Sequence, residues 1–194
     1  MSTFPLQATT TTTTLLLVFL FLTPSTTTAD VVVDHEGDPL VAGNYYYAMP
    51  IATQKGGGLT MFNNGSVMCP DFIVARSTED TDFGIPINLG PQTPDQDKNI
   101  HTSSNLSISF KYLSPQPLCR RRYTTVWAVE TEKAVVVLDG EEGSEDSLFK
   151  LEKYGDQLSG GYKILAKEKT LLYDEQSLVG LDSGNPLLVV FVKA

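Results

Sequence analysis

From Asp30 onward the chain is a succession of short apolar runs cut by turn residues. VVVD (31–34), YYYAMPI (45–51), LTMF (59–62), DFIVAR (71–76), IPINL (85–89), LSISFKYL (106–113), TTVWAV (124–129), AVVVLDG (134–140), SLFKLEKY (147–154), YKILAK (162–167), LVGL (178–181) and PLLVVFVK (186–193) carry almost no helical period. Between them stand HEGDP, QKGGG, NNGS, STEDTD, GEEGSED, GDQLSGG and DSGNP, rich in the residues that supply positive φ or fix a turn. About a dozen short strands with this punctuation predict one all-β barrel or sandwich without an internal linker. Three runs, TTVWAVE (124–130), SLFKLEKYG (147–155) and PLLVVFVK (186–193), share a bulky residue in a strand, which hints at an internal repeat but fixes no period.

One segment breaks the pattern. NLGPQTPDQDKNIH (88–101) is polar, proline-punctuated and without apolar period, between two runs that alternate as half-buried strands do. Loops beyond about 12 residues inside a compact domain are usually functional or disordered, so a loop displayed by a rigid strand pair is the first candidate site.

The amino terminus changes the picture next. LLLVFLFL (15–22) is too short to span a bilayer and is followed by small residues up to Ala29, the form of a secretory signal peptide with cleavage near Ala29; a threonine tract stands where a positive charge is usual. A mature chain of residues 30–194 is therefore expected, secreted, extracellular or vacuolar, with no membrane association after signal removal. That leaves 165 residues, enough for one domain with a sizeable core, expected as a monomer.

All fourteen Lys and Arg and all twenty-three Asp and Glu fall after residue 29, so the net charge of −9 belongs to the mature part and repels phosphate backbones; nucleic acid is not an expected partner. Cys69 and Cys119 form an even pair in a secreted chain, which favours a structural disulfide. Asn64-Gly-Ser66 and Asn105-Leu-Ser107 are glycosylation sequons, Asn64 the better placed of the two because it sits among turn residues. Enzyme signatures are missing. His35 and His101 lie in no metal-binding spacing, no G-x-S-x-G elbow occurs, and Gly56-Gly57-Gly58 lacks the strand, Lys and helix of a phosphate cradle and reads as a flexible turn. Asp34-His35-Glu36-Gly37-Asp38 lacks the twelve-residue frame of a calcium loop and reads as a solvated turn. No catalytic residue, metal or cofactor is expected.

VVVDHEGDPLVAGNYYYAMP (31–50) resembles the amino-terminal signature of the plant Kunitz family, the soybean trypsin inhibitor type, at Val32, Asp34, Glu36, Gly37, Asp38, Leu40 and Tyr46, with Ala48 at the final aliphatic position. PIATQKGGGL (50–59), Cys69-Pro70, NLSISF (105–110), Trp127, LFKLEKYG (148–155), YKI (162–164) and the closing PLLVVFVK extend the likeness over nearly all of the mature chain.

The resemblance implies a β-trefoil of twelve strands in three pseudo-repeated units. It implies that Cys69 and Cys119 form the family's first bridge; the second is missing, since residues 162–180 hold no cysteine. It also implies an inhibitor of serine endopeptidases, acting by substrate-like docking of the loop between IPINL and NLSISF. Laid on the family's Ser-Pro, Gly90-Pro91 places the loop at Pro91, Gln92, Thr93, Pro94 and Asp95, with Thr93 as the residue for the protease's primary pocket. Thr93 brings no charge to the aspartate of a trypsin-like pocket, Lys98 is the nearest cation, and the Asn with which the family braces its loop is Ala42 here, so weak action on trypsin is expected. A rival basic loop is Arg120-Arg121-Arg122 beside Cys119, otherwise a solvated turn. The alternative functions are a defence or storage trefoil without inhibitory action, and a pigment or small-ligand carrier like the family's chlorophyll binders, whose pigment-contact region resembles the stretch around Pro50.

Overall fold

The computed structural model describes residues 29–51, 56–63, 65, 72–93, 98–111, 124–155 and 161–194. The strands are β1 (Tyr45–Pro50), β2 (Leu59–Asn63), β3 (Phe72–Arg76), β4 (Ile87–Pro91), β5 (Leu106–Phe110), β6 (Trp127–Glu130), β7 (Val135–Leu138), β8 (Phe149–Tyr154), β9 (Gly161–Ala166), β10 (Lys169–Thr170), β11 (Leu172–Tyr173), β12 (Val179–Gly180), β13 (Asn185–Pro186) and β14 (Leu188–Lys193). Six of them close into a barrel: β1, β4, β5, β8, β9 and β14 are neighbours in that order, and β14 returns to β1. The hairpins β2–β3, β6–β7 and β11–β12 cap one end. Single pairings, Ile73↔Val137, Gly180↔Val135 and Ala75↔Leu178, join the three hairpins into a triangle. This is a β-trefoil, as the resemblance implies.

Its three units are β1–β4, β5–β8 and β9–β14. Within a unit the two barrel strands share only one or two residue pairs, whereas between units β4–β5, β8–β9 and β14–β1 share five, six and five. The barrel is thus held chiefly by the hairpins that join units, and one of these carries the proline-punctuated segment.

Alternation explains why these runs became strands. Ile87 and Leu89, Phe149 and Leu151, and Val189 and Phe191 are buried at equivalent places on β4, β8 and β14, while the residues between them face outward or away. Trp127 fills the centre of one unit, its ring 5.2 Å from Phe110 and 6.0 Å from Phe149, the latter edge to face.

Four expectations change. VVVD is not a strand but two isolated bridges, Val31↔His101 and Val33↔Pro39. Residues 169–170 and 172–173 form the short strands β10 and β11, too short to carry a legible alternation. Of the three runs thought similar, SLFKLEKYG and PLLVVFVK are indeed equivalent strands, but TTVWAVE lies in a cap hairpin and its true counterparts are elsewhere.

The glycine triplet, the fourth, is no flexible turn. The Gly57 and Gly58 amides donate to the carbonyls of Ser77 and Asp82 at 2.9 and 2.7 Å. A Cβ on Gly57 would stand 2.2 Å from the Asp82 carbonyl oxygen, so only glycine lets the 77–84 loop close over it. Asp82 fastens that loop: its carboxylate accepts from the Gly84 amide at 2.9 Å, which with the Ser77 hydroxyl holds its pKa below the ordinary value.

Candidate functional site

β4 and β5 run in register to Pro91↔Leu106, and the ladder gains one more rung when the Gln92 amide donates to the Asn105 carbonyl at 3.0 Å. Pro91 suits the last place of a strand, where no donor is needed. Across the same neck the Asn105 side-chain amide donates to Gln92 Oε1 at 3.3 Å. Gln92 and Thr93 are exposed; Pro94 and Asp95 lie outside the described residues.

The chain returns at Lys98, whose backbone is left-handed at φ 59° and whose carbonyl accepts from the Ala42 amide at 2.9 Å. Non-glycine residues seldom adopt this conformation. A residue read by a protease lies extended in the cleft, so Lys98, although exposed, is placed as a hinge and not as a primary residue. Ala42 cannot brace the loop with a side chain as an Asn would; it braces the returning leg through its backbone instead.

Beyond Lys98 the segment stops being a loop. Asn99 bridges Val41, and Ile100 is buried at 1% exposure beside Val32 and Leu40, both at 0%. Their backbones form a closed ring: the Val32 amide donates to Ile100, the Ile100 amide to Leu40, and the Leu40 amide to Val32, at 2.8, 2.8 and 2.9 Å. The ring plugs the barrel end opposite the hairpin cap. Two barrel tyrosines hold it, Tyr162 accepting from the Val33 amide and Tyr46 from the Val41 amide, each at 2.9 Å. Burial, aided by the Asp30 carboxylate, pushes the Tyr162 pKa up despite the Val33 hydrogen bond. The Asp34 carboxylate, buried, ties the adjoining turn by accepting from the Glu36 and Asp38 amides, each at 3.0 Å.

The displayed loop is therefore 92–98, shorter than the polar pattern of 88–101 implied, because Asn88 to Pro91 are strand and Asn99 to His101 are floor. Both feet are tied to rigid structure. Sequence reasoning missed the Gln92–Asn105 pair and the plug; placing Pro91 opposite Leu106 in a hairpin would have revealed the pair.

Arg120, Arg121 and Arg122, the two cysteines Cys69 and Cys119, and the sequon residue Asn64 lie outside the described residues. Asn105 is described, exposed, and part of the loop neck. Among the described residues no group of three or more His, Cys, Asp or Glu side chains is placed to hold a metal ion, and no helix is long and apolar enough to cross a membrane.

Residues 32–193 match the family model of the legume Kunitz type, described as trypsin and protease inhibitor. The chain belongs to this family. A trypsin inhibitor from Leucaena leucocephala is 28% identical over 184 residues, covering 84% of this chain and 96% of that protein. Among solved structures, a bifunctional alpha-amylase/subtilisin inhibitor from Oryza sativa superposes with a TM-score of 0.71 at 28% identity, over 86% of this chain and 100% of that one. Soybean trypsin inhibitor of the Kunitz type superposes with a TM-score of 0.67 at 26% identity, over 85% and 99%. The matched family and the Leucaena relative are protease inhibitors, so this Kunitz chain is of the inhibitor type and not an enzyme.

Proposed function

We propose that the protein is a secreted inhibitor of serine endopeptidases that offers residues 92–98 to the protease cleft as a substrate would, with Thr93 entering the primary pocket and trypsin bound weakly. The observation that carries this is the two-sided anchoring of the loop: the Gln92–Asn105 pair on one foot, the Ala42–Lys98 hydrogen bond and the Ile100 ring on the other. No chemistry or cofactor is needed, since a loop anchored at both feet inhibits by occupying the cleft. Thr93 is uncharged and small, which fits an apolar or shallow pocket better than one lined by an aspartate.

The deciding experiment assays the mature protein against trypsin, chymotrypsin, elastase and subtilisin, the rice relative being named as a subtilisin inhibitor. Stoichiometric titration of a protease other than trypsin is expected. A basic primary residue adds a desolvated ion pair whose loss is worth about 2 to 5 kcal/mol, so Thr93→Arg with Pro94→Ile should move trypsin binding from micromolar toward nanomolar. Nanomolar trypsin inhibition by the wild type that disappears on Arg120→Ala or Arg121→Ala would transfer the site to the basic turn. No inhibition of any of the four, with full folding, would favour a defence or storage protein; a copurified chromophore would favour a carrier. Secreted material should begin near Asp30 and hold no free thiol if Cys69 and Cys119 are bridged.

A further inference from the structure

We propose that Asn105 is an N-glycosylation site whose glycan controls access to the loop, so that the glycosylated protein is a masked form of the inhibitor. The proposal rests on the loop being the inhibitory surface and adds a modification that turns it off.

Three observations meet at this residue. Asn105-Leu106-Ser107 is a sequon, and Asn105 is exposed. Its side-chain nitrogen, the atom that would carry the sugar, stands 3.3 Å from Gln92 Oε1, and its carbonyl holds the Gln92 amide. Asn105 also lines a cleft of about 410 Å³, together with Glu145, Leu148, Lys150, Leu165, Lys167 and Glu168. The mix suits a pyranose. The two leucines offer apolar surface to a sugar face, while Lys150, paired with Glu168, and Lys167, paired with Asp146 at 2.7 Å, present charged groups for hydroxyls. The first N-acetylhexosamine would rest there and keep the rest of the glycan beside the loop.

A stable protease interface takes about 800 Å² and some 20 to 30 residues from each partner. Residues 92–98 supply seven. The footprint must therefore spread onto the neck, and Asn105 is the first residue it meets. A branched glycan there occupies the ground the protease rim needs.

In the transfer, Asn105 Nδ2 gives up one proton and bonds to the anomeric carbon of the first sugar, while the lipid diphosphate of the donor leaves with the electron pair of the anomeric C–O bond. One N–H remains, so the hydrogen bond to Gln92 survives and the loop keeps its shape beneath the cover. Attachment precedes folding in the secretory route, so the burial of Ser107 in the folded barrel is no obstacle.

The test uses the full chain produced in a secreting plant or yeast host, with peptide mapping before and after enzymatic deglycosylation and separation of glycoforms on a mannose-binding lectin. The expected result is occupancy at Asn105, inhibition weakened about tenfold or more in that glycoform, and recovery on enzymatic removal of the glycan or in Ser107→Ala, which deletes the sequon and keeps the Asn105–Gln92 pair. A second readout is cleavage of the loop by excess protease, which the glycan should slow. No glycan on Asn105, or a glycoform that inhibits as well as the bare protein, overturns the proposal. If no form inhibits any protease, the inhibitor reading fails by itself, and the masking is judged on the cleavage rate: equal rates refute it, slower cleavage of the glycoform upholds it.

Discussion

The hairpins β4–β5 and β8–β9 occupy equivalent places in the trefoil, yet 14 residues connect the first pair of strands and six the second. The barrel itself asks only for the short connection, since β8 and β9 pair over six residues with it, one more than β4 and β5 manage with the long one. The extra residues divide into two parts with different physics. Asn99 to His101 do structural work, with Ile100 sealing the barrel floor. Gln92, Thr93 and Lys98 are exposed, and Gln92 and Lys98 are tied to the fold through their backbones. Pseudo-symmetry thus separates what the fold requires from what was added to it, and the added part holds the loop proposed to meet a protease.

The largest effect should come from breaking the structural part. Ile100→Ala removes a fully buried side chain that packs with Val32 and Leu40, and should cost about 2 to 5 kcal/mol in denaturant unfolding, whereas Thr93→Ala should stay within about 0.5 kcal/mol. Equal effects at the two positions would erase the division. Next, Tyr162→Phe leaves the half-buried Val33 amide without its acceptor, an expected loss of about 1 kcal/mol. The same tyrosine sets an alkaline limit. Its folded pKa is raised above the ordinary value of 10.0, so its contribution is complete below that pH and is lost as pH rises through the higher folded value. Tyr162→Phe should flatten that part of the stability curve.

Replacing 93–97 by a short glycine-containing turn sharpens the comparison from the other side. The protein should fold with stability within about 1 kcal/mol of wild type, because closing a shorter loop changes the entropy only slowly with length, and inhibition should vanish. The smallest effect is expected at the neck. In protein made without glycans, Gln92→Ala and Asn105→Ala each remove a hydrogen bond worth about 0.5 to 1.5 kcal/mol; the coupling in a double-mutant cycle should appear in inhibition and hardly in melting temperature. A cycle that is additive in inhibition would remove the neck from the site.

Much of the fold was legible in the chain because barrel strands bury one face. IPINL, LSISF, SLFKLEKY and PLLVVFVK announce themselves by alternation, and that alternation survives folding unchanged. The loop was legible as an exception to it. Ile100 was not, since a lone apolar residue among Asp, Lys, Asn and His carries no period from which a core position can be inferred. The glycine triplet was misread for a related reason: glycine marks both a free turn and a backbone approached too closely for a side chain, and only the neighbouring chain distinguishes them.

The sequence alone determined the strand faces, the turns, the acidic surface and the family likeness, all of which depend on residues close together along the chain. Tertiary structure decided where the loop begins and ends. Val32, Leu40 and Ile100 are up to 68 residues apart, and their hydrogen-bonded ring exists only once the barrel brings its two ends of chain together. Closure of that ring converts the end of the polar segment, Asn99 to His101, into floor, because a buried amide must find an acceptor and here each finds it in another segment.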